Sequence, residues 1–348
     1  MTPARQIPVA VGGWKPTLCL LVMAPISGEL ITSSAPPFVF FIPWVFTLFA
    51  LLYGCGAILV RELAVRWGTG WAGVLLMGAA YGILEEALGA KSFFDPQWRA
   101  IGPLGVHGRW LGVNWVWAAG LTFFHAVFCI ALSILTVSLP FRHMRQQRWL
   151  GNKSLVLVGV AYLLVLVLFF QKGNENHYKA PALYYWISIA VAVALIAAAR
   201  WVPRRHFPEP SETSLSLSDS PAHYFAWLGF LSVLCFVVIL YAVPATGVSA
   251  WVTGFCVVAL GLGMYALLKR WSAGGTRALR LRQEVALVAG AFCAWGLQGP
   301  FQEWNPARSD SGAGMSAVGI ACFVFSYWLW RRVAQNNGAE IQGGTYAS

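Results

Sequence analysis

Residues 154–171 read SLVLVGVAYLLVLVLFFQ, with Lys153 before the run and Lys172 just after it. No charge interrupts the stretch, and its length approaches the roughly 20 apolar residues that an α-helix needs to cross a bilayer. A strand of this kind would leave its backbone groups unpaired in lipid, whereas a helix pairs its own. The stretch therefore reads as a membrane-spanning helix, and similar stretches recur along the chain. Candidate spans fall at about 16–34, 38–60, 70–90, 111–139, 154–171, 181–200, 223–244, 248–268, 284–301 and 312–330.

Composition supports the same fold class. Of 348 residues, 58% are hydrophobic and 11% charged, with a mean hydropathy of +0.63. Soluble domains carry about 25% charged residues, so most of this surface is expected to face lipid. The expectation is an all-α, polytopic transmembrane helix bundle of about ten spans, in the cell (plasma) membrane. The net charge of +11 would suggest a nucleic-acid partner in a soluble protein. Here the basic residues sit in short segments between spans, so the bilayer is the expected partner and nucleic acid is not.

Those basic residues also orient the chain. With the N-terminus inside, only Lys91, Arg99, Arg109, Lys172, Lys179 and Arg308 of the 24 Lys and Arg fall outside. The positive-inside rule then places both termini in the cytoplasm. Removing one span would scramble that bias. Span one is read as retained rather than as a cleaved signal, because Glu29 interrupts the cleavage context. Residues 202–222, VPRRHFPEPSETSLSLSDSPA, read as a cytoplasmic linker. It separates a six-helix half (1–201) from a four-helix half (223–333), and 334–348 read as an unstructured tail. The seven cysteines lie within apolar spans and form no CxxC pair, so small buried hydrophobes are expected rather than a disulfide framework.

Ionisable groups inside a span are costly, and each is a functional candidate. Glu29 in span one, Glu85 and Glu86 in span three, and His125 in span four stand out. At about 1.5 Å rise per residue, Glu85 lies roughly 22 Å above Gly70 and His125 about 20 Å below the outer end of its helix. Adjacent helical residues point about 100° apart, so one glutamate is expected to line a cavity while the other pairs elsewhere. Gly82 and Gly89 give that helix a small-residue face for close approach. His107, Arg109 and Asn114 are expected at the outer mouth as binding residues, in or beside the interfacial loop 91–110. Arg61-Glu62 reads as an interface ion pair. No nucleotide-binding loop or cofactor motif is found; a bound metal and the oligomeric state are left open.

Two resemblances bear on function. The stretch YGCGAILVRELAVRWGTGW, with GAAYGILEEALGAKSFFDPQW and GVHGRWLGVNWVWAAGLTFFHAVF, resembles a family of uncharacterised prokaryotic membrane proteins over about residues 25–150. A Glu-Glu pair followed by a His in the next span is also similar to the CAAX-protease and bacteriocin-processing family of intramembrane proteases. That resemblance implies that Glu85 or Glu86 acts as base and His125 polarises a water, for a peptide substrate. Position 90 is Ala and position 121 is Leu, where that family has Arg and Phe. The rival expectations are a small-solute or proton-coupled transporter, with the same residues binding substrate or relaying protons, and a non-catalytic membrane scaffold.

Overall fold

The computed structural model describes residues 10–98, 105–172, 177–202, 221–271, 277–306, 308 and 310–343. Among these described residues ten long helices follow in order. They are α1 (Trp14–Pro25, running into a π-helical turn at Ile26–Leu30), α2 (Pro43–Trp67), α3 (Gly70–Ala90), α4 (Trp115–Ser138) and α5 (Asn152–Lys172). Then come α6 (Ala182–Trp201), α7 (Ala222–Thr246), α8 (Ala250–Trp271), α9 (Arg277–Glu303) and α10 (Met315–Gly343). Among the described residues the one sheet is a hairpin of β1 (Arg109–Trp110) and β2 (Val113–Asn114). The chain is an all-α membrane bundle.

Each of the ten expected segments contains a helix, but seven of them, α2 to α8, are long and apolar enough to cross a membrane. Local chemistry explains the shortfall. In α1, Pro25 and Gly28 lie just before the helix ends at Leu30. Helix α9 opens on RALRLRQE, which is not membrane-like. Helix α10 continues to Gly343 through a polar stretch that reads as a tail in the sequence. Helix α2 starts later than the hydropathy suggests, because Pro43 disfavours helical backbone at Ile42 before it. Its end is set by Gly68 in the left-handed region at φ +67°, the usual glycine stop. Most of the expected linker, residues 203–220, lies outside the described residues.

The helices form two compact units. The first comprises Met1–Gly28, Pro43–Pro208 and Ile239–Val257; the second comprises Glu29–Ile42, Glu209–Val238 and Val258–Ser348. In the first, α3 packs against α4 and α6, and α5 packs along α2 and the end of α3. Val156, Leu157, Leu163, Leu164 and Val167 on α5 remain exposed. Such a row of bare aliphatic side chains suits lipid and not water. In the second unit, α9 packs between α7 and α10. Gly290 lies so close to α7 that a β-carbon there would sit 2.0 Å from the carbonyl oxygen of Ala226. Glycine is needed where helix backbones approach this closely.

Candidate functional site

The last two turns of α3, Leu84–Ala90, are π-helical. A π turn carries an extra residue between hydrogen-bonded partners, so successive side chains swing through a smaller angle than in an α-helix. Glu85 and Glu86 are the second and third residues of this turn, and both are buried. Facing them, α4 also widens into a π turn, His125–Ala131, and His125 is its first residue. Helix α4 reaches α3 because glycines line the contact. A β-carbon on Gly78 would lie 3.0 Å from Cα of Ala126, and one on Gly82 would lie 2.6 Å from Cβ of His125. Gly89 stands against Phe169 of α5.

The sequence predicts that the two glutamates take different partners. The structure corrects this: both face one imidazole. Nε2 of His125 is 3.0 Å from Oε1 of Glu86, and Nδ1 is 3.3 Å from Oε2 of Glu85. The widened turn narrows the angle between the two side chains, and each carboxylate reaches a different nitrogen of the ring. The side chains of His125, Glu85 and Glu86 are 1%, 4% and 10% exposed. Among the described residues this is the one group of three that could hold a metal ion, with one donor atom from each residue within 4.8 Å of the others.

The hydrogen bonds around Glu86 fix its role. Lys91 ends the π turn in the left-handed region at φ +61°. Its Nζ donates to the carbonyl of Phe170 at 2.6 Å and lies 5.1 Å from that ring's centre. The chain then folds back, and Ser92 N–H donates to the Glu86 carbonyl at 2.9 Å. Ser92 Oγ also bonds to Glu86 Oε2. Trp117 Nε1 donates to Ser92 Oγ at 3.1 Å. An indole is a donor only, so the single hydroxyl proton of Ser92 is directed at Glu86. Glu86 accepts at Oε2, and the simplest pairing at Oε1 is acceptance from Nε2–H of His125. That tautomer leaves the lone pair of Nδ1 on the side facing Glu85.

On that side the polar atoms are not satisfied. Glu85 Oε2 and His125 Nδ1 are both buried, and neither makes a hydrogen bond. The phenols of Tyr53 and Tyr81 approach the Glu85 carboxyl. Tyr81 and Tyr162 have ring centres 6.0 Å apart, and the buried Tyr162 hydroxyl makes no hydrogen bond. Tyr53 stacks on His125 with ring centres 6.2 Å apart, and Cys129, one turn beyond His125, contacts it through sulfur. Buried polar atoms are normally paired, so a concentration of unpaired ones points to a site that takes water or an ion.

Of the other candidate residues, Asn114, Arg109 and His107 have partners of their own outside this cluster. Asn114 caps α4, accepting from the Trp117 N–H at 3.0 Å. Arg109 ties the loop between α3 and α4 by donating to the carbonyls of Gly105, Phe94, Gly112 and Asp95. His107 pairs with Thr253 at 3.0 Å. Glu29 belongs to the second compact unit, and its carbonyl accepts from Thr32 and Ala35. Arg61 and Glu62 are 1% and 0% exposed, more deeply buried than an interface pair. Arg61 lies 3.7 Å over the Trp149 ring and is 2.7–3.0 Å from the carbonyls of Met144, Arg145 and Gln147. Sequence reading missed Tyr53, Tyr81, Ser92, Trp117 and Cys129. Tyr81 and Cys129, four residues before Glu85 and four after His125, had a helical-spacing signal. Tyr53 had none, because it comes from a different helix.

A family profile described as an uncharacterized membrane protein family matches residues 18–295. No curated protein and no solved structure matches the chain.

Proposed function

The chain belongs to an uncharacterized membrane protein family, and on that footing we propose that it is a hydrolase working inside the cell membrane on a peptide substrate. One observation carries the reading. His125 lies between two carboxylates, held by Glu86 at 3.0 Å on one nitrogen and facing Glu85 at 3.3 Å on the other. A histidine oriented by one carboxylate and presenting its second nitrogen beside another is suited to general acid–base work.

In this reading a water enters beside Glu85 Oε2 and His125 Nδ1. Its proton passes to that pair while its oxygen bonds to the carbonyl carbon of the scissile amide. The tetrahedral intermediate collapses, the C–N bond breaks, and the proton returns to the leaving amine. Glu86, Ser92 and Trp117 keep the imidazole in place throughout. The low-dielectric surroundings strengthen each of these interactions.

The test is cleavage of a library of labelled transmembrane peptides in proteoliposomes, with products identified by mass spectrometry. Wild type should give defined products. Glu85→Gln and His125→Ala should lower the rate by about 10²–10⁴-fold, the usual contribution of a general acid or base. Wild-type rates in both variants, or no cleavage by wild type, would overturn the proposal. Proton flux in the same liposomes that depends on Glu85 and His125, without cleavage, would reassign the cluster to transport.

A further inference from the structure

We infer that the cluster is a binding site for a divalent transition metal of the zinc type, with Glu85 Oε2 and His125 Nδ1 as ligands and Glu86 as the residue that orients the histidine. The two ligand atoms are buried, lack hydrogen bonds and lie 3.3 Å apart. With Nε2–H donated to Glu86, both atoms present lone pairs to each other, and a proton or a metal cation between them relieves the repulsion. Zinc bonds to nitrogen and carboxylate oxygen measure about 2.0–2.2 Å, which puts two ligands of a tetrahedral site roughly 3.3–3.5 Å apart. The observed separation is therefore that of two neighbouring ligands.

The far side of the imidazole agrees. A histidine that binds metal through one nitrogen commonly donates its other N–H to a carboxylate, which fixes the tautomer and the ring orientation. His125 has this arrangement, with Nε2 on Glu86 at 3.0 Å. Ser92 and Trp117 in turn hold Glu86. The buried hydroxyl of Tyr162 makes no hydrogen bond, while the Tyr81 phenol is directed at Glu85. One ion thus accounts for the facing pair of buried atoms, Glu85 Oε2 and His125 Nδ1.

The inference deepens the hydrolase reading. A bound metal would lower the pKa of its water towards neutrality, and with Glu85 Oε2 and His125 Nδ1 holding the ion it would take over from that pair the activation of the water. Metal binding and hydrolysis can nevertheless be measured separately. Purified full-length protein is loaded with Zn2+ or Co2+, dialysed, and assayed for metal by mass spectrometry and for Co2+ coordination by visible absorption. Wild type should retain about one ion per chain. Glu85→Gln and His125→Gln should lose it, and Glu86→Gln should bind about 10–100-fold more weakly.

Failure of wild type to retain either ion overturns the metal inference, whatever the variants do. So does unchanged binding in Glu85→Gln and His125→Gln, each checked for folding by gel filtration. If a variant misfolds, loss of the Co2+ spectrum from wild type on adding Zn2+ still tests for one specific site. Peptide cleavage by metal-free protein would remove the metal and keep the hydrolase. Metal binding without cleavage would do the reverse.

Discussion

Gly82 and His125 stand face to face across the α3–α4 contact, with a β-carbon on Gly82 placed 2.6 Å from Cβ of His125. No L side chain fits unless the helices part, and His125 depends on their closeness to reach Glu85 and Glu86. Gly82→Ala should therefore cost about 1–3 kcal/mol, as over-packing usually does. It should also abolish cleavage and metal retention together. Thermal unfolding and metal content of the same preparation check both.

Ser92→Ala removes the hydroxyl that joins Trp117 to Glu86. It leaves an indole N–H and a carboxylate oxygen without that partner in a buried setting. The expected loss is roughly 1–3 kcal/mol. Ser92→Thr keeps the hydroxyl and should recover most of it. Melting temperatures of the three proteins in one detergent decide the matter, and equal loss in Ala and Thr would show that the hydroxyl is not responsible.

Arg61 and Glu62 form a clamp that ties the C-terminal end of α2 to the 144–150 segment. Glu62 accepts from the Trp149 N–H at 2.8 Å and from Arg66 at 3.3 Å. Glu62→Gln leaves the buried guanidinium of Arg61 with its backbone carbonyls but without its adjacent counter-charge, and breaking a buried pair in this way costs about 3–5 kcal/mol. Yield and melting temperature should fall sharply. Metal content per folded chain should not change, because none of these residues belongs to the Glu85–His125 cluster.

Glu303, beyond the apolar part of α9, caps the start of α10. Its carboxylate accepts from Ser316 N–H at 2.7 Å and from Gly314 N–H at 3.3 Å. Bonds from Ser316, side chain first and then backbone, hold its acidity below the ordinary carboxylate range. A lowered folded-state value means that the stabilisation is present above the ordinary range and is lost as pH falls through the folded value. The melting-temperature gap between wild type and Glu303→Gln should thus be constant near neutrality and close on acidification. A gap unchanged down to strongly acidic pH would remove Glu303 as the ionised cap.

Much of the membrane fold was legible because hydropathy is a local property. A run such as 154–171 settles its own environment, and α5 indeed exposes Val156, Leu157 and Leu163. The shortened α1 was less legible. Its hydropathy continues through Pro25 and Gly28, but its helical backbone ends at Leu30. The candidate cluster was legible as residue types, since acids and histidine within apolar runs are conspicuous. The roles of Arg109, His107 and Asn114 were not, because loop closure and capping depend on partners fixed only by folding.

The sequence by itself determined that this is a polytopic membrane protein with three costly ionisable groups, Glu85, Glu86 and His125, in two consecutive spans. Taking each such group out of water costs free energy, so its presence within an apolar run is a signal before any partner is known. Only the tertiary structure decided that all three meet at one imidazole. That meeting depends on two π-helical turns, at Leu84–Ala90 and His125–Ala131, and on glycines that let α3 and α4 touch. Turn width is set by packing across helices, and an α-helical reading of adjacent glutamates sends them in different directions.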